Sequence, residues 1–413
     1  MSDFSELNLG ASVMFQDLLR RTHLSAAHEL AGITAEAARA IGIQSLVIYL
    51  IDYEHRLLIP VPAPDAAGRE PVPVLGTMAG RAFASTSILQ LDAENGPGRR
   101  MWLPLLDGTE RLGVIDAWLP EHSGPLPDAL VTVVERYAHL VALLVASKGM
   151  YSDAFERVRR RREMTVASEL LWQLVPPLVL ATDDFVLAAL LEPCYDNGGD
   201  AFDYALNDRV LHLGVFDAMG HGLAAAEHAA LALSLYRHGR RRGRGPAQCY
   251  ADIDAAITAP AETTRFVTAV IAELDVRSGR LRWINAGHPP PLLLRDGKLV
   301  KTLDLIPSPP LGLQLATEAP AEGEEELQPG DLVLLYTDGL TESRRPGGEL
   351  FSVERLGEFI EREAASGHAA PETLRGLREA VIERGAGALR DDATAVLIEW
   401  RRGTERVLVP DTV

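Results

Sequence analysis

Apolar and polar positions along this chain follow one mixture of periods up to about residue 178 and another beyond it. In the first stretch, LSAAHELAGITAEAARAIG (24–42) has helical spacing, while SLVIYLID (45–52) is rich in β-branched residues and predicts a strand. Short apolar runs follow: LLIPVP, ILQL, MWLPLL and LGVIDAWL, with the small-residue segment GTMAGRAFAS (76–85) among them. Asp-Gly within LLDGTERLG (105–113) predicts a hairpin. Leu130, Val134, Tyr137, Val141, Leu144, Tyr151, Phe155 and Val158 then recur at steps of mostly four and three. That stripe runs for about four heptads and predicts a long helix suited to coiled-coil dimerisation, although a helix packed on its own domain carries the same pattern.

From residue 179 the period becomes that of strands and tight turns. DFVLAALLEP predicts a strand, and DYALNDRVLHLGVFD a hairpin turning at Asn207-Asp208. Further hairpins are predicted at Ser278-Gly279 and Asp296-Gly297. LVLLYTD (332–338), two helical stretches within 352–386 and ATAVLIEW (393–400) complete the set. Many antiparallel strands with a few helices predict an α+β layered domain, preceded by a mixed α/β one. The expected divisions are an N-terminal segment 1–20, a sensor-sized domain 21–126, a helical linker 127–178, a domain 179–402 and a tail 403–413.

Composition narrows the class. With 413 residues, two domains are expected. Hydrophobic residues at 47% and charged residues at 24% are ordinary for a soluble globular protein. A net charge of −18 argues against broad nucleic-acid binding, which needs a basic face. RVRRRRE (157–163) and RHGRRRGRG (237–245) therefore read as solvated surface, the first also as a hinge or contact between domains. Cys194 and Cys249 lack metal-ligand spacing, so a reducing cytoplasm is expected. No signal peptide is visible in MSDFSELNLG, and LVALLVA is short of the roughly 20 residues of a membrane span. A cytoplasmic protein without membrane contact is the expectation.

The candidate chemistry lies in four short passages: GGDAFD (198–203), FDAMGHG (216–222), YTDGLTE (336–342) and DDAT (391–394). Asp200, Asp217, Asp338 and Asp392 each stand at a strand end or its junction with a turn, Asp200 and Asp338 directly beside glycine. One such aspartate is ordinarily a turn former or helix cap. Four converging would repel, which raises pKa values unless cations intervene. Oxygen-only ligands suit Mg²⁺ or Mn²⁺ rather than zinc.

Two resemblances extend this reading. LPLLDGTERLGVIDAWL and GTMAGRAFAS resemble a GAF domain over roughly residues 21–120. NGGDAFD, FDAMGHG, FVTAV, NAGHPPPLL, PLGL, LQPGDLVLLYTDGLTESR and DDATAVLI, in that order, resemble the PP2C-like (PPM) serine/threonine phosphatases of the SpoIIE/RsbU type. The fold so implied is a layered β-sandwich flanked by helices. The resemblance implies two Mn²⁺ or Mg²⁺ ions bridged by Asp217. Asp200 and the Ala218 carbonyl would serve one ion, Asp338 and Asp392 the other, and Asp391 would ligate or orient. It also implies hydrolysis of phosphoserine or phosphothreonine by a metal-activated water, with an anti-sigma-factor antagonist as substrate. Asp196-Asn197 replaces the Glu-plus-aliphatic pair usual before the first glycine, and Ala218 a commonly Val or Gly position; both departures leave the carboxylates in place.

His221, after Gly220 at an expected helix start, would be an acid, an orienter or a structural hydrogen-bonding residue. His288 is expected to fix a turn, and Thr268 and Asn285 to support the site. ASELLWQLVPP (167–177) is the expected switch between the sensor, with its own small-molecule or protein ligand, and the catalytic domain of a homodimer. The rival readings are a catalytically quiet scaffold with a structural metal site, a nuclease or nucleotide phosphatase, and an N-terminal domain that only dimerises.

Overall fold

The computed structural model describes residues 2–92, 98–120, 125–257, 265–316, 319–343, 350–384 and 391–408. The chain divides into two compact units, Met1–Arg162 with Val407–Val413, and Glu163–Arg406.

The first unit opens with α1 (Ser2–Thr22) and α2 (Leu30–Ala38), followed by β1 (Ser45–Ile51), β2 (Leu57–Pro60) and β3 (Val72–Pro73). Then come α3 (Met78–Ser85), β4 (Leu89–Asp92), β5 (Arg99–Asp107), β6 (Glu110–Leu119), α4 (Asp128–Gly149) and α5 (Ala154–Arg159). Its antiparallel sheet has the order β3-β2-β1-β6-β5-β4. The expected hairpin joins β5 to β6 at Asp107–Glu110. One face of the sheet packs on α1, α2 and α4, and the other carries Tyr49, Trp102 and Val114 beneath Phe83 of α3.

Three expectations about this region change. Residues 1–20 are not a separate segment, because α1 buries Met14 and Leu18 completely in the unit's core. The heptad stripe does not continue into a coiled coil: Leu130, Val134, Tyr137 and Val141 lie in that same core. The helix stops at Gly149, Tyr151 is 84% exposed, and Phe155 and Val158 belong to a separate short helix. A stripe spaced for a partner chain serves equally well against the unit's own sheet, and the chain uses it there. Residues 127–178 are thus divided rather than forming one linker. By length and composition alone α4 could cross a membrane, yet its apolar face fills this core.

The second unit begins with α6 (Val166–Leu174), β7 (Val179–Ala181), β8 (Phe185–Glu192), β9 (Asp200–Asn207) and β10 (Val210–Ala218). Next are α7 (Leu223–Arg241), α8 (Pro246–Ala256), β11 (Val267–Asp275), β12 (Arg280–Ala286), β13 (Leu292–Arg295), β14 (Lys298–Thr302) and β15 (Gly323–Glu326). It ends with β16 (Leu332–Tyr336), α9 (Asp338–Thr341), α10 (Val353–Ala365), α11 (Ala370–Arg384) and β17 (Ala393–Trp400). Two antiparallel sheets form, β15-β12-β11-β10-β9 and β14-β13-β16-β17-β8-β7. Phe202, Leu213 and Val270 of one meet Leu187, Val333 and Ile398 of the other in the central core. Alternation then sends Ala201, Phe216 and Ile271 to the outer face, where α6, α7 and α8 cover them. The layered sandwich and all three expected hairpins are present. Of the expected tail, residues 409–413 lie outside the described residues.

Candidate functional site

The antiparallel register sets Asp217, at the end of β10, directly opposite Asp200, at the start of β9. In the other sheet, β16 and β17 pair, so Asp338 just after β16 and Asp392 just before β17 share one sheet end. Loops tie the two ends together. The Gly198 and Gly199 amides donate to Asp392 Oδ2 at 2.9 and 2.6 Å. Thr337 Oγ1 donates to Asp200 Oδ2 at 2.7 Å and accepts the Thr394 N–H at 2.8 Å. One fully buried hydroxyl therefore joins the first sheet's carboxylate to the second sheet's backbone.

Two glycines are fixed by close approach. A Cβ on Gly198 would stand 2.3 Å from Gly222 N, and one on Gly339 1.8 Å from Asp392 O. Gly199 keeps the space beside the Ala218 carbonyl open, since a Cβ there would lie 2.8 Å from that oxygen. Asn197 braces the loop: Nδ2 donates to Asp200 O at 3.0 Å, and Oδ1 accepts from the Gly199 and Asp200 amides, both at 3.3 Å. Ser168 Oγ of α6 donates to Asn197 O at 3.0 Å. The departure at position 197 is thus the residue that shapes the turn before Asp200.

Electrostatics concentrate at this end of the sandwich. Burial, followed by the charges of Asp338, Asp391 and Asp392, pushes Asp217 up to about 7. Burial raises Asp392 to about 6 against the pull of the Gly198 and Gly199 amides. Asp200 is raised well above the usual range by burial and then by Asp217 and Asp392. Asp338, exposed at its outer side, is raised by partial desolvation and then by Glu342, a neighbouring charge that sequence reasoning did not single out. Mutual repulsion of this kind places the carboxylates in one electrostatic cluster.

The side chains do not close on a single point. Among the described residues, no group of three or more His, Cys, Asp or Glu side chains is gathered as a ready ligand set. Asp392 faces the glycine amides, Asp200 faces Thr337, and Asp391 Oδ1 accepts the Asp392 N–H at 3.0 Å. Asp338 and Asp391 are exposed, so either can turn without displacing a packed neighbour. The donors are all oxygen and carry charge that folding alone leaves uncompensated. That chemistry fits hard divalent cations.

The supporting residues divide. Thr268 is the β11 partner of Asp217, and its hydroxyl lies 2.8 Å from His288 Nδ1. Asn285, rather than the histidine ring, closes the turn: Oδ1 accepts the His288 N–H at 2.8 Å, and Nδ2 donates to His288 O at 2.7 Å. Burial pushes His288 down to about 4, which keeps the ring neutral. His221 is exposed in the turn before α7 and makes no hydrogen bond among the described residues, so it is not a structural link. Thr337 and Ser168 escaped sequence reasoning. The only signal for Thr337 was its place between an apolar run and Asp-Gly.

Residues 207–401 match the family described as Stage II sporulation protein E (SpoIIE). The matched stretch contains Asp217, Asp338, Asp391 and Asp392, and Asp200 lies just before it. Protein IcfG of Synechocystis sp. is 23% identical over 267 residues, 58% of this chain and 41% of that protein. Phosphoserine phosphatase RsbP of Bacillus subtilis is 25% identical over 190 residues, 45% of this chain and 46% of that protein. The chain thus spans less than half the length of either relative. A crystal structure of the RsbU and RsbW domains of a Mycobacterium tuberculosis protein aligns with a TM-score of 0.45 and 27% identity. It covers 55% of this chain and 62% of that one.

Proposed function

We propose that the C-terminal unit of this chain, which matches the SpoIIE family over residues 207–401, is a PP2C-like phosphatase domain, and that the protein is a metal-dependent serine/threonine phosphatase. The observation that carries the reading is that Asp200 and Asp217 of one sheet and Asp338 and Asp392 of the other lie at sheet ends tied together by the Gly198, Gly199 and Thr337 hydrogen bonds, their proton affinities all raised.

In this reading Asp200, Asp217, the Ala218 carbonyl, Asp338 and Asp392 would hold two Mn²⁺ or Mg²⁺ ions. Bound there, the ions supply Lewis acidity, acidifying water and neutralising phosphoryl charge. The chain's own residues set the geometry. The Gly198 and Gly199 amides fix Asp392, Thr337 fixes Asp200, and Asn197 holds the turn that brings the two together. The open backbone around Gly220 and exposed Met219 leave room for a phosphorylated side chain.

Phosphoserine is the substrate class supported by the relative named a phosphoserine phosphatase, and a protein of the anti-sigma-factor-antagonist type as its carrier is what the SpoIIE/RsbU resemblance implies. The N-terminal unit is read as a GAF-like sensor in a cytoplasmic homodimer. Exposed Leu9 and Val13 of α1 and Leu143 of α4 support a self-association surface. α6 supplies a regulatory route, because Ser168 holds the very turn that precedes Asp200.

The reading is tested with Mn²⁺-loaded protein given a phosphoserine peptide, a nucleoside triphosphate and single-stranded DNA. Turnover of the phosphopeptide, with no effect of excess nucleotide or DNA, supports it. Preferred hydrolysis of either competitor overturns it in favour of another metal hydrolase, and Mn²⁺ binding without turnover of the peptide, by the whole chain with its stimulus or by a 163–406 fragment, would leave a quiet scaffold.

A further inference from the structure

The catalytic reading leaves the basic run RVRRRRE (157–163) unused. One side of the helix that begins it is latched to the sheet. Arg159 Nε donates to Ile51 O at 3.0 Å, its guanidinium lies 4.6 Å from the centre of the Tyr53 ring, and the Tyr53 hydroxyl bonds Glu156. Another side borders a cavity of about 620 Å³ within the N-terminal unit. Its walls include apolar Ile59, Val61, Phe155 and Val158. Its rim carries Arg157, Arg161 and His28, all exposed.

Two properties make this more than surface roughness. The volume falls within the roughly 300–1,000 Å³ range of small-molecule sites, and an apolar floor with a few convergent polar groups is their usual lining. Arg157 and His28 also have no ion-pair partner among the described residues, in a chain whose net charge is −18. Acidic side chains are plentiful, yet among the described residues none pairs with Arg157 or His28. A guanidinium presents a fork of donors suited to carboxylate, sulfonate or phosphate oxygens. The apolar walls beneath it favour a ligand with a hydrocarbon or aromatic body.

We infer that this groove binds a small anionic amphiphile, with its acidic head on the Arg157 rim and its apolar body against Ile59, Val61, Phe155 and Val158. One wall is the final helix before the second unit begins at Glu163, so occupancy fastens that helix more firmly to β2. The inference stands independently of the catalytic reading.

Isothermal titration of the full-length protein, with EDTA present, tests it using 1-octanesulfonate below its micelle concentration. Methanesulfonate supplies the head alone and 1-octanol the body alone. The expected result is one equivalent of octanesulfonate bound, with each partial probe at least tenfold weaker. Arg157→Glu with Arg161→Glu, both at exposed positions and checked for folding by circular dichroism, is expected to weaken octanesulfonate at least tenfold. Arg241→Glu, on the second unit, is expected to leave it unchanged. Absence of binding, equal binding by the folded double variant, or methanesulfonate binding as tightly as octanesulfonate would overturn the proposal. Octaglutamate binding in place of octanesulfonate would also overturn it, assigning the basic rim to an acidic protein partner.

Discussion

At the scale of residues, the carboxylates depend on neutral donors. Thr337 spends one buried hydroxyl on Asp200 and on the Thr394 amide. Thr337→Val keeps the shape and removes both bonds, leaving a buried amide unpaired. The expected cost is about 1–3 kcal/mol of stability by urea unfolding, with phosphatase turnover reduced roughly tenfold or more and largely restored in Thr337→Ser. Unchanged turnover in the valine variant would contradict this role.

The same cluster sets a pH dependence. Asp217 and Asp392, raised to about 7 and about 6 from 3.8, favour the protonated form in the fold. Their contribution to stability is present below pH 3.8 and is lost as pH rises through those values. His288, lowered to about 4 from 6.5, acts in the opposite sense: its contribution is present above 6.5 and is lost as pH falls toward 4. A divalent cation competes with protons for the aspartates only. Mn²⁺ at about 100 times its dissociation constant is expected to raise the melting temperature by roughly 5–10 °C at pH 8. At pH 5.5 the gain should be less than half as large. Differential scanning calorimetry checks this, and an equal gain at both pH values would count against carboxylate ligation.

The aspartates were legible in the sequence because a charge at a strand end or its turn has few structural reasons to recur four times in one domain. Thr337 was not, since a threonine after the apolar run LVLLY is also an ordinary strand residue. Asn197 looked like a flaw in a pattern, because its partners are backbone groups that no pattern of residue types displays.

At the scale of elements, strands and hairpins were readable because Asn-Asp, Ser-Gly and Asp-Gly pairs punctuate strict apolar runs. What α4 packs against was not readable. A stripe at steps of three and four specifies an apolar face and says nothing about which surface covers it. Val134, 1% exposed, sits in the core of the N-terminal unit. Val134→Asp is therefore expected to cost about 3 kcal/mol or more and to unfold that unit. Limited proteolysis and thermal melting would show it. Dissociation of an oligomer with no loss of thermal stability would instead restore the coiled-coil reading.

α6 gives a second prediction at this scale. Its Ser168 holds the Asn197 carbonyl, so Ser168→Ala is expected to reduce turnover about three- to tenfold. The melting of the N-terminal unit should stay unchanged. Gly339→Ala tests the close approach of α9 to β17. With a Cβ placed 1.8 Å from Asp392 O, the backbone must shift, and activity should be lost more completely than in Ser168→Ala. Full activity in Gly339→Ala would show that the sheet ends need not meet so closely.

At the scale of the whole molecule, the chain joins a unit with a basic-rimmed cavity to a sandwich whose acidic end gathers four strand-end aspartates. A net charge of −18 repels phosphoproteins at long range, which leaves substrate capture to local cationic groups and to bound metal. The most direct test of the account is phosphate release from a phosphoserine protein of the anti-sigma-factor-antagonist type, comparing the natural chain with Asp217→Asn, each with Mn²⁺ and with EDTA. The account predicts turnover by the natural chain that EDTA abolishes and that Asp217→Asn lowers more than roughly a hundredfold. Equal turnover by Asp217→Asn, or turnover that survives EDTA, would contradict it.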